Sequence, residues 1–215
     1  MIHALNIILH VTAGIAALIV GAVTIILCRR SNDHKRWGRY FLYLLCIVVS
    51  TGYLGWLFFR SQAFLLMLTL VSGYVGYSGF RTVRLRERKA SNLDALVALF
   101  ALATGIAYVV SLREGKEWSP TVIYSTLGAL ALVTLYDLLK FLWLYPRIKS
   151  WWLYEHIYKM ISAFSALLSA FAGTVLPQFK PYSQVGPGIA CTILIVIFII
   201  QQARQRQLSS HIPAS

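Results

Sequence analysis

Five side chains of acid–base or metal-ligand type fall at one set of apolar-run ends: His34, Asp94, Asp137, Glu155 and His156. Asp137 lies in Tyr136-Asp137-Leu138-Leu139-Lys140, inside a long apolar run. Glu155 and His156 open the next run, Asp94 opens an earlier one, and His34 belongs to a basic connector. Ionisable groups kept within lipid-crossing segments are costly and mark ligand, proton or metal chemistry. The set allows an acid–base relay, or a metal held by His34, Asp137 and His156, although the spacing matches no H-E-x-x-H signature. Each group also has a structural reading. Asp94 follows Ser91 by three residues and can complete a capping box. Glu155 in a first turn complements the helix dipole. Lys140 can pair with Asp137 at i,i+3 and snorkel, and His34 can be a solvated loop residue.

A second set sits on the first apolar run. His3, Asn6, His10, Gly14, Ala17 and Gly21 recur at spacings of three, four and seven and so share one helical face. Small residues on that face turn it inward, taking His10 with it. Asn6 and His10, with Tyr53, Tyr108 and Tyr124 from the outer halves of other helices, form the expected outer pocket. The bland alternative is a neutral His10 imidazole hydrogen-bonded to a neighbouring Ser or Tyr.

These groups must be positioned by elements that live in lipid. Charged residues make up 13% of the chain, about half the share usual in a soluble domain. Apolar runs near 4–27, 39–59, 62–80, 93–112, 120–144, 154–176 and 185–201 match the length needed to cross about 30 Å of hydrocarbon. The connectors carry the cations. Arg29, Arg30, Lys35, Arg36 and Arg39, then Arg81, Arg84, Arg86, Arg88 and Lys89, then Lys140, Arg147, Lys149 and Lys159, with Arg204 and Arg206, give 16 on one side. Arg60, Arg113, Lys116 and Lys180 give 4 on the other. This asymmetry predicts an all-α polytopic integral membrane bundle of seven transmembrane helices, N-terminus outside and C-terminus cytoplasmic. Residues 1–203 form its single domain and 204–215 a short polar tail. The cytoplasmic (inner) membrane is the expected location. The net charge of +13 then belongs to positive-inside loops facing anionic headgroups, not to nucleic-acid binding. The first run lacks a positive n-region and a cleavage site, so it reads as a retained reverse anchor. Trp37, Trp56, Trp118, Trp143, Trp151 and Trp152 fall near the expected interfaces. Small-residue stripes, Ser72-Gly73-Gly76-Gly79 and Ser162-Ser165-Ser169-Gly173, provide for close helix packing. If a helix begins near Trp37, His34 and the cations after it sit at its positive end, where an anion or carboxylate is needed in compensation.

His10-x-x-x-Gly14, then His34-Lys35-Arg36-Trp37-Gly38-Arg39-Tyr40, is similar to the H-x-x-x-G … H-R-x-x-G-R-x-Y pattern of a group of uncharacterised bacterial predicted membrane proteins, with Lys35 where Arg is usual. Glu155-His156-Ile157-x-x-Met160 resembles their H-x-x-x-M helix start. The likeness covers about a third of the chain. It implies no activity, and it raises His10, His34 and His156 above the other polar residues. Three functions stay open: binding or transport of a small solute or ion through interior His and Asp groups, a membrane-embedded metal or redox enzyme, or a non-catalytic accessory protein. Residues 185–201 hold no lysine for a retinal Schiff base. A bis-histidine haem b built from His10 and His156 fails because the two lie at different depths, which leaves open a haem with one axial histidine and an unusual partner. The cysteines Cys28, Cys46 and Cys191 form no metal or disulfide spacing.

Overall fold

The computed structural model describes residues 1–59, 63–111 and 120–210, and all regular structure among them is helical. The expected outer turn at Arg60-Ser61-Gln62 and the connector holding Arg113, Lys116 and Trp118 lie outside the described residues. The helices are α1 (Ile2–Ile26), α2 (Ser31–Phe59), α3 (Ala63–Leu85), α4 (Asn92–Ser111), α5 (Pro120–Leu139), the single turn α6 (Tyr145–Ile148), α7 (Trp152–Val175) and α8 (Tyr182–Ser210).

Five stretches are long and apolar enough to cross a membrane: Ile2–Ile26, Ser31–Phe59, Asn92–Val110, Val122–Val175 and Tyr182–Leu208. The fourth is not one rod. Asp137 and Lys159 are 22 residues apart and touch at 2.5 Å, whereas a straight helix would separate them by about 33 Å. The chain therefore doubles back between α5 and α7. In this connection the backbone leaves helical geometry at Ile148 (φ −117°, ψ 7°) and Trp151 (φ −87°, ψ 3°), just after Pro146 in the single turn α6. It also widens into a π-helical turn over Lys140–Leu144.

One end of the bundle, the His34 end, gathers the last turns of α1, α3, α5 and α8 and the first turns of α2, α4 and α7. Hydrogen bonds from His34 to Thr24, His156 to Gly79, Arg81 to Asp94 and Arg206 to Ser150 tie these turns together. The outer surface is a belt of exposed Leu, Ile, Val and Phe, including Leu54, Phe58, Phe100, Leu132 and Ile193. Ser72, Thr134, Glu155 and Lys159 are buried instead. Apolar outside and polar inside is the arrangement of a protein dissolved in lipid.

Small residues set the packing. Ala13 and Ala17 of α1 are buried in the core. Along α3, a Cβ at Gly73 would meet Val49 of α2 at 3.2 Å, and one at Gly79 would meet Met160 and Lys159 of α7 at 2.8 and 3.1 Å. The α3 stripe thus packs as its spacing implies. The α7 stripe behaves differently. Ser162, Ser165 and Ser169 line a cavity of about 540 Å³ reaching α5 and α8.

Two helices run further than their apolar runs. α2 starts at Ser31, so His34, Lys35 and Arg36 lie in its opening turns and the helix does not wait for Trp37. Asp33 in the first turn supplies the compensating carboxylate. α8 runs from Tyr182 through the intended tail to Ser210. Gln, Ala, Arg and Leu are good helix formers, so residues 204–210 continue the rod. Pro187 is accommodated inside that helix near its start, with Gly186 and Gly188 meeting open space where a Cβ would point.

Candidate functional site

At the His34 end the carboxylates are caught in a lattice of ion pairs. Asp137 Oδ2 accepts from the Tyr74 hydroxyl at 2.8 Å and the Ser78 hydroxyl at 2.6 Å, and Oδ1 meets Lys159 Nζ at 2.5 Å. Lys159 also lies 3.8 Å from Glu155 Oε2, one turn away on α7. Lys140 Nζ donates to both Glu155 oxygens at 2.6 and 2.7 Å, and the Tyr136 hydroxyl donates at 2.9 Å. The partner expected for Lys140 was Asp137; the structure corrects this to Glu155. Lys140 opens the widened turn, which directs its side chain across to α7 and away from the line of α5. Alternate positive and negative groups on facing helices balance each charge within hydrogen-bond reach, the condition for keeping ions in a dry interior.

Asp94 forms a neighbouring pair. Arg81 donates to both its oxygens at 2.6 and 2.8 Å, and Tyr77 adds a third donor at 2.8 Å. Ser91 donates its N–H and hydroxyl to Asp94, whose own N–H reaches back to the Ser91 hydroxyl at 3.4 Å. The capping box expected from the three-residue spacing is present, joined to a bidentate ion pair.

The histidines occupy different ground. Successive residues on a helix point about a quarter-turn or more apart, so Glu155 reaches Tyr136 and Lys140 while His156 turns toward Gly79 of α3 and His34 of α2. His156 Nδ1 lies 3.2 Å from the Gly79 carbonyl and His34 Nδ1 lies 3.0 Å from the Thr24 carbonyl. A carbonyl only accepts, so both Nδ1 atoms donate, which in the neutral tautomer of a ring places the lone pair on Nε2. The ring centres are 6.2 Å apart with planes at 90°. Both rings line a cavity of about 550 Å³ between α1, α2, α7 and α8, with apolar walls that include Phe41, Phe164 and Phe198 and a polar rim of Gln201, Gln202 and Gln205. A Cβ at Gly38, one turn beyond His34, would sit at ordinary contact distance, 3.6 Å, from Thr24, so Gly38 marks the α1–α2 contact without being required by it. Met160, one turn beyond His156, lines the same cavity.

His10 sits at the other end, its Nδ1 2.9 Å from the Thr51 hydroxyl, and Asn6 donates to the Thr51 carbonyl at 3.2 Å. The Thr51 hydroxyl is within 2.7 Å of the Ile47 carbonyl, which takes its proton and leaves it to accept from His10. A cavity of about 380 Å³ lies alongside, lined by His3, Asn6, His10 and Thr51. The three tyrosines do not join it. Tyr53 and Tyr124 are exposed on the outer surface, and Tyr108 packs against the cluster around Met67 and Val122. A helix half fixes depth but not rotation, so residues of equal depth can face opposite ways.

The five groups of the His34 end therefore separate into two sites. Asp94, Asp137 and Glu155 line one small cleft, and His34 and His156 line the larger cavity. The metal set His34, Asp137 and His156 is split between them, and among the described residues no three His, Cys, Asp or Glu side chains are placed to hold a metal ion. Sequence reasoning missed Lys159, Tyr74 and Ser78 as partners of Asp137, and Cys28 and the three glutamines as cavity lining. Lys159 carried a usable signal, since it lies one turn from Glu155 inside an apolar run. No protein-family model, curated protein or solved structure matches the chain.

Proposed function

We propose that the chain is a membrane protein crossing the cytoplasmic membrane seven times, N-terminus outside, which binds one small, mainly apolar molecule in the cavity that His34 and His156 share. The 16-to-4 distribution of Lys and Arg supports the count and orientation. The cavity carries the functional reading: apolar walls, a polar rim and two imidazoles pre-oriented by backbone carbonyls are the features of a ligand site between bundle helices. The likeness to bacterial predicted membrane proteins raises His10, His34 and His156, and two of these three line this cavity. Binding is favoured over a proton relay through Asp137, since both Asp137 oxygens are held by Lys159, Tyr74 and Ser78.

Native mass spectrometry of protein taken directly from membranes tests this. The wild type should retain one small-molecule adduct per chain, and Leu153→Trp, which fills the cavity from α7, should lose it. No adduct in either chain, or one that persists in Leu153→Trp, would sink the reading.

A further inference from the structure

His34 and His156 come from different helices, yet both rings reach one cavity with their centres 6.2 Å apart. Each Nδ1–H is committed to a backbone carbonyl, the support by which proteins fix an imidazole so that Nε2 can bind a metal. A metal ion stands ~2 Å from a ligating nitrogen and hence ~3 Å from the ring centre, so two imidazoles placed across one metal have centres ~6 Å apart. The observed separation falls at that value.

The number of available ligands narrows the class. A bare zinc-type ion takes about four ligands, at least three of them from protein. Among the described residues no group of three His, Cys, Asp or Glu side chains could supply them. A porphyrin brings its own four equatorial nitrogens and asks the protein for axial ligands alone. The cavity of about 550 Å³ has the scale of such a macrocycle, with Phe41, Phe164 and Phe198 available to its faces and edges and Gln201, Gln202 and Gln205 to its polar substituents. The pairing His10 with His156 is excluded by depth; His34 with His156 is not.

We propose that His34 and His156 are the axial pair of a metalloporphyrin seated between α1, α2, α7 and α8, an inference that rests on reading this cavity as a small-molecule site. The test is titration of the full-length protein, purified in detergent, with ferric haemin. One equivalent should give a low-spin bis-imidazole spectrum, with sharp visible bands after dithionite reduction. His34→Ala and His156→Ala should each lose the low-spin spectrum, and His3→Ala should keep it. Free imidazole should restore it in His34→Ala, which separates a missing ligand from a missing fold. A high-spin spectrum in the wild type, or unchanged spectra in both histidine variants, overturns the proposal. If haemin fails in this way while the native adduct is still displaced by Leu153→Trp, the porphyrin falls and the small-molecule site stands.

Discussion

Lys159 is 2% exposed and holds two carboxylates, touching Asp137 at 2.5 Å and standing 3.8 Å from Glu155. Removing one partner of a buried pair leaves an uncompensated charge and costs about 3–5 kcal/mol. Lys159→Met should therefore lower stability by that amount, read as a fall in the unfolding midpoint by helical circular dichroism in detergent. Adding Asp137→Asn should recover part of the loss, because it removes one of the two stranded anions. A double variant no more stable than Lys159→Met would show that the pair is not coupled. At this scale the sequence reveals the acids clearly, because Asp137 and Glu155 are rare charges within apolar runs. It does not reveal their partners. Lys140 lies three residues from Asp137 yet serves Glu155, and Tyr74 and Ser78 reach Asp137 from 63 and 59 residues away. Such pairings depend on how each rod is rotated about its axis, which local spacing constrains only loosely.

Among the elements, α3 and α7 meet where glycine permits it. A Cβ on Gly79 would lie 2.8 Å from Met160 Sδ and 3.1 Å from Lys159 Cβ, and the Gly79 carbonyl receives the His156 proton. Gly79→Val should push the helices apart and cost about 1–3 kcal/mol. Hydrogen exchange should rise in α3 and α7 together, with α1 and α2 affected less; a silent substitution would mean that the contact is slack. The α3 stripe was legible because close packing in lipid selects small residues at helical spacing. The same signature on α7 misled, since Ser162, Ser165 and Ser169 face a cavity. The ends of α2 and α8 were missed for another reason. Hydropathy locates what sits in hydrocarbon, and these helices continue past it through Ser, Asp, Gln and Arg, which propensity tolerates and hydropathy does not register.

For the whole molecule, the alternation of helix ends and the cation asymmetry make one claim about direction. With Cys28 replaced by Ser, a cysteine at the exposed Arg88 position should react with a membrane-impermeant maleimide in inverted vesicles and stay unlabelled in intact cells. Labelling from outside would reverse the orientation. The all-helical fold and its apolar belt could be read from composition and run length alone, whereas the division of polar groups between two sites at the His34 end required the packed bundle. The lattice joining α5 to α7 also bears on how the protein is made. Asp137 lies in the last turn of α5, and Glu155 and Lys159 lie in the first turns of α7, so each segment alone carries unpaired charge at one end, where the cost falls below the roughly 2.5–3.5 kcal/mol of a helix centre. Because the chain doubles back between α5 and α7, each neutralises the other, and lipid accepts the two more readily together than singly.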